Sequence, residues 1–151
     1  HSALRRSINS VRDIPMKKHL LVLAIASSCF AMTAANAADG MTKDQYKVAK
    51  EKISADYKVA KAKCDALKDN AKDVCMKEAK GTENVAKAQL EQDYKPSASH
   101  AKKVAEETAT MNYEVAKEKC DDQSGDAKSA CVNQAKADHD KAKADIKAMK
   151  S

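Results

Sequence analysis

Four cysteines form the clearest chemical pattern in this chain. Cys64 and Cys75 stand eleven residues apart, as do Cys120 and Cys131, and each pair brackets a polar, turn-forming stretch. Dithiol redox centres need Cys-x-x-Cys, with a helix N-terminus to lower the thiol pKa, and zinc ribbons also draw on close cysteine pairs. Ten intervening residues supply neither. On one unbroken helix Cys64 and Cys75 would stand about 16 Å apart, whereas a disulfide needs Cα atoms within about 7 Å. A bond inside each frame therefore requires the chain to fold back, first at Asp69 and Asn70 and again at Gly125. The spacing predicts two structural bridges, Cys64–Cys75 and Cys120–Cys131, each closing a loop of about 12 residues and contributing roughly 3 kcal/mol.

The other candidates for chemistry are weaker. His139 lies between Asp138 and Asp140, but adjacent residues on a helix point in different directions, so the triplet is no chelate and is expected to be solvated surface. His100 is isolated near a helix start. Met76, Met111 and Met149 are scattered and read as gap-fillers. Tyr46, Tyr57, Tyr94 and Tyr113 are expected to lie in a helix seam. No nucleophile with a base, no Gly-rich phosphate loop and no pocket of paired carboxylates can be assembled. The sequence therefore predicts no catalytic residue, no metal site and no cofactor, and a protein that is not an enzyme, with periplasmic redox or metal handling as the least favoured reading.

Bridges persist in an oxidising compartment, and the N-terminal region supplies a route to one. Met16-Lys17-Lys18 is basic, Leu20 to Ile25 is continuously apolar, and Ala35-Asn36-Ala37 is a small-residue cleavage site. Residues 16–37 thus read as a secretory signal peptide cut between Ala37 and Ala38. A lipoprotein signal with Cys29 as the lipid-bearing residue competes with this, although Ala26 stands where such signals carry Leu. Residues 1–15 read as a non-native upstream extension. The expected location is periplasmic or secreted, with no stable membrane span in the processed form.

Processing alters the charge balance. The whole chain has 28 Lys+Arg against 22 Asp+Glu, but all three Arg precede Ala38, leaving 23 Lys against 21 acids. Such a near-neutral, Arg-free chain lacks the electrostatic footprint of a nucleic-acid binder. Residues 38–151 hold 22 Ala but only 19 residues of Val, Ile, Leu, Met and Tyr together, with no Phe or Trp. That is too little large apolar surface for a thick core, so burial must come from thin, Ala-lined helix contacts.

Turn signals then divide an all-α chain into four helices. Thr42 with Gln45 makes a capping box, and a seam of Tyr46, Ile53, Tyr57, Ala60, Cys64 and Leu67, with Lys50 as its polar member, runs to a stop near Lys68. Asn70 is expected to cap a second helix from about Ala71 to Tyr94, passing through Gly81 with local softness. Ser97 or Ser99 caps a third, to about Asp122, and Asp126 a fourth, to near Met149. At an offset of 56, Tyr57 to Lys80 matches Tyr113 to Lys136 at 12 of 24 positions, the Tyr and Cys included. The expected architecture is a tandem repeat of two helical hairpins, 38–94 and 99–151, joined by a linker at 95–98 and each closed by a disulfide.

A shorter echo lies inside the repeat: "YKVAKEKISAD" from Tyr46 is followed by "YKVAKAKCDAL" from Tyr57, a period of eleven that keeps one stripe of a helix facing one way. The "VAKEK" and "VAKAK" units resemble the eleven-residue repeats of late-embryogenesis-abundant proteins. That resemblance implies a stress protectant that binds membranes or proteins. Behind its signal peptide, the Ala/Lys-rich chain is also similar to small bacterial envelope proteins labelled TolA-like. The leading expectation is a structural or protein-interaction role in a Gram-negative envelope, a rigid Lys-rich helical surface contacting envelope proteins or anionic envelope polymers.

Overall fold

Thr42 opens the first helix as its sequence requires. Its Oγ accepts from the Gln45 backbone N–H at 3.1 Å while the Gln45 side chain accepts from the Thr42 N–H at 2.8 Å, satisfying two donors that a helix start leaves orphaned. In the computed structural model, which describes residues 40–150, four helices follow: α1 (Lys43–Asp65), α2 (Asp69–Tyr94), α3 (Ala98–Cys120) and α4 (Gly125–Lys147). No strand occurs among the described residues. Residues 1–37, for which the sequence reading expects an upstream extension and a signal peptide cut between Ala37 and Ala38, lie outside them, Cys29 included.

Helix order and turns follow the sequence reading, with differences at the caps. α1 ends at Asp65, short of Lys68, and Leu67 is 42% exposed beyond it, so it is no seam residue. Asn70 does not cap α2. Lys68 is the N-cap, without a side-chain bond, and the Asn70 amide instead donates to the Glu118 carbonyl at 2.7 Å, tying the first turn to the end of α3. Asp126 likewise yields the N-cap of α4 to Ser124. Of the two serines offered for α3, Ser97 is the cap, accepting from His100 N–H at 2.9 Å. Asp69 and Gly125, equivalent at the 56-residue offset, both adopt left-handed φ, +52° and +58°.

Only successive helices touch: α1 with α2, α2 with α3, and α3 with α4. α2 shows why this gives a single layer. Cys75, Ala79, Glu83 and Ala86 border its groove with α1, whereas Lys77 and Gly81 meet α3. At about 100° per residue these two sets lie on opposite sides of the helix. The layer is one helix thick, and its buried apolar positions are correspondingly few and mostly small: Cys64 and Cys120, four alanines, Leu90 and Ile146.

Gly81 is not a soft point. Met111 of α3 packs directly on its backbone, and a Cβ placed there would fall 2.7 Å from the Met111 Cβ. The glycine lets two helices approach over a long side chain, a requirement set 30 residues away in sequence.

Candidate functional site

The cysteines meet as their spacing demands. Cys64 pairs with Cys75 and Cys120 with Cys131, at Cα separations of 5.4 and 5.6 Å. Cys64 and Cys120 are fully buried, and each pair lies beside its own turn. The bridges join the two helices of each hairpin at its closed end.

Above the first bridge, α1 and α2 enclose a groove of about 330 Å³ bordered by Ile53, Tyr57, Ala60, Ala79 and Thr82. Glu83 borders it as well, and is the one buried charged residue among those described. Lys80 reaches it at 2.9 Å and Lys87 at 2.6 Å. Hydrogen bonds from Lys87 and then Lys80 outweigh burial and hold the Glu83 carboxyl below its usual pKa, and Glu83 in turn raises Lys80. Lys80 also lies 5.2 Å over the Tyr57 ring, a favourable cation–π distance. At the open end of this hairpin Tyr46 and Tyr94 approach to 4.5 Å between centroids, and the Tyr46 hydroxyl donates to Glu91, which raises its pKa.

The second hairpin places His139 where the first has Glu83. His139 is half-buried and stacks flat on Tyr113, centroids 4.4 Å apart and planes 6° from parallel. It is therefore a packing residue and not the solvated surface its neighbours suggested. Only a partner 26 residues away, invisible to a reading of i±1 neighbours, gives it that role. His100 is also engaged, its Nδ1 lying 2.6 Å from the Lys95 carbonyl oxygen. No group of three or more His, Cys, Asp or Glu able to hold a metal occurs among the described residues, and no described helix is long and apolar enough to cross a membrane.

The most distinctive surface is on α1. Lys43, Lys47, Lys50, Lys58 and Lys61 recur at helical spacing along one face, all exposed, and none pairs with a carboxylate among the described residues. Tyr46, Glu51 and Ser54 border the shallow groove along this face. Lys50 thus belongs to the exposed face and not to the seam. The sequence signal is partial, because Lys50 also fits the apolar seam by spacing alone. Lysines three and four apart have Cβ atoms about 5–6 Å from one another, inside the Debye length of about 8 Å at physiological salt, so their potentials add. The face also runs against the fold's own interest, since like charges at this spacing destabilise a helix and Lys43 sits at the positive end of the macrodipole.

In α3 the same offset gives Ser99, Lys103, Glu106, Glu114 and Lys117. There Lys103 pairs with Glu107 at 2.9 Å and Lys117 approaches Glu114 at 3.9 Å. The second hairpin neutralises the face that the first leaves basic. Comparisons with protein-family models, with curated proteins and with solved structures found no match to this chain.

Proposed function

We propose that this chain is a non-catalytic structural protein of the cell envelope, periplasmic or secreted, whose stapled helical layer holds the lysine face of α1 rigidly toward an anionic envelope polymer. The unpaired lysine face is the observation that carries this reading. It costs the helix stability, and a polyanion laid along it would turn that repulsion into attraction. A flexible lysine tract would lose conformational entropy on binding such a polymer, whereas α1 is ordered beforehand by its capping box and by packing on α2. The two cysteine pairs, which favour an oxidising compartment, support the location.

Titrating the purified protein with polyphosphate chains at several salt concentrations tests the proposal. Five lysines acting together should give a log–log salt dependence of about −3 to −4, at roughly −0.7 per neutralised charge on a flexible polyanion. Lys47→Glu with Lys50→Glu should weaken binding strongly, while Lys103→Glu on α3 should change it little. Salt-independent binding, or equal losses from both helices, would contradict it. Association that required an envelope protein and ignored the polyanion would do so as well.

A further inference from the structure

α1 leaves one side uncovered. The side bearing Ile53, Tyr57, Ala60 and Cys64 faces α2, and the opposite side carries Val48, Ala55 and Val59, with Val48 66% and Val59 56% exposed. Exposed valines at that helical spacing have no role inside the molecule. Their counterparts 56 residues on are Val104, Met111 and Val115, which share the face that α3 turns to α2. There Met111 rests on Gly81, and Met111 and Val115 line the α2–α3 groove with Glu78 and Thr82. The uncovered side of α1 is thus the repeat equivalent of an interface already formed within the fold.

The other half of that interface has an equivalent too. On α2 it comprises Lys77, Glu78 and Gly81; the same offset on α4 gives Asn133, Gln134 and Ala137, all exposed. We infer that the outer face of α4 docks on the outer face of α1 in a second copy of this chain, through the same pairing that joins α2 to α3, so that molecules add head to tail.

Transferring the internal contacts by 56 residues tests this pairing for size and charge. The close approach of Gly81 to Met111 becomes Ala137 opposite Ala55, a compensating exchange of nothing against long for small against small. The ion pairs Lys77–Glu114 and Lys119–Glu78 become Asn133 opposite Lys58 and Gln134 opposite Lys63. The contact of Lys77 with Glu118 becomes Asn133 opposite Ala62. No transferred pair sets like charges against each other. Two α1 faces laid together would fare worse, because each helix carries seven lysines against four acids, whereas α4 is nearly balanced, with five lysines against four aspartates. A contact between different faces does not close on itself as a two-fold dimer does, so it propagates, as stacking does in repeat proteins.

Sedimentation of the purified protein over a concentration series tests this independently of any polyanion. The average mass should rise with concentration past that of a dimer. Val59→Glu and Ala137→Glu each place a charge at an exposed position, so helicity should be unchanged, while association weakens by at least about tenfold. An equimolar mixture of the two variants should recover dimers and stop there, because each supplies the face that the other lacks. Val48→Glu and Ala144→Glu, the latter exposed two turns beyond Ala137 on the same side of α4, provide a second such pair should either first variant lose helicity. A parent that stays monomeric overturns the inference, as does assembly that ends at a dimer. Loss of assembly in Val59→Glu but not in Ala137→Glu would assign the contact to two α1 helices and overturn it equally.

Discussion

The two hairpins share a frame and differ in what fills it. Both bury a cysteine at the closed end, Cys64 and Cys120, an alanine one turn beyond its partner, Ala79 and Ala135, and a branched aliphatic residue farther out, Leu90 and Ile146. Between these anchors the first hairpin sets Ile53 and the doubly paired Glu83, and it finishes its open end with Tyr46, Tyr94 and Glu91. At the same places the second has Ala109, His139, Lys102, Lys150 and Lys147. Small side chains and cations replace most of the large contacts. The first hairpin is held along its length, and the second chiefly by its bridge, by Ile146 and by the stack of His139 on Tyr113. A common staple thus permits the sequence above it to diverge.

The largest expected effect tests that asymmetry. A bridge closing about 12 residues contributes roughly 3 kcal/mol, and what remains after its loss depends on the side chains above it. Cys120→Ser with Cys131→Ser should therefore free α4, seen as loss of amide protection through Gly125–Lys147. Cys64→Ser with Cys75→Ser should leave most of α1 protected. Equal losses would mean that Ile53, Tyr57 and the tyrosine pair contribute little.

Gly81 offers a smaller effect at the contact between the hairpins. Gly81→Ala gains about 1 kcal/mol of helix propensity but drives a methyl into Met111, an overpacking cost of about 1–3 kcal/mol. A net destabilisation of about 1 kcal/mol is expected in denaturant unfolding, and adding Met111→Ala should recover much of it by removing the side chain that the new methyl meets. No recovery would show that the helices do not approach at this point.

The Glu83 bridge should matter less, and its sign with pH is fixed. The carboxyl is held below its usual pKa by Lys87 and Lys80, so its contribution is present above the ordinary glutamate range and is lost as pH falls through the lowered value. Lys80 is raised by Glu83, so the same link is also lost as pH climbs through the raised lysine value. Charged hydrogen bonds contribute about 1.5–3 kcal/mol, but a layer one helix thick leaves both lysines in water, so Glu83→Gln should cost only about 1 kcal/mol at neutral pH. The gap between parent and variant should close once the pH has fallen below that lowered glutamate value. A gap that persisted there would assign the effect to shape and not to charge.

Much of this comparison was legible in the sequence because its signals are local or repeated. The capping box, the turn at Gly125 and the paired cysteines each fix a segment by themselves, and the 56-residue offset predicts two hairpins from one. What escaped depends on partners distant in sequence. Lys95-Pro96-Ser97 ends a helix whichever side the next one packs on, so it does not dictate a single layer. Asn70 looks like a cap until the Glu118 carbonyl is placed beside it, and Gly81 looks soft until Met111 is placed on it. A Lys-rich helical surface is legible from composition, but its position on α1 is not, because Lys50 also fits the apolar seam by spacing alone.

Hydrogen exchange on the oxidised protein in dilute buffer, repeated after reduction, tests the central claim most directly: a stably folded layer stapled at two turns. Oxidised, α2 and α3 should show the strongest protection, since each is packed on both sides, with α1 and α4 weaker at the edges. Reduction should strip α4 first and leave the α2–α3 pair protected. Uniformly fast exchange in the oxidised protein would contradict the account and favour a chain loosely structured in water, as expected of a desiccation protectant.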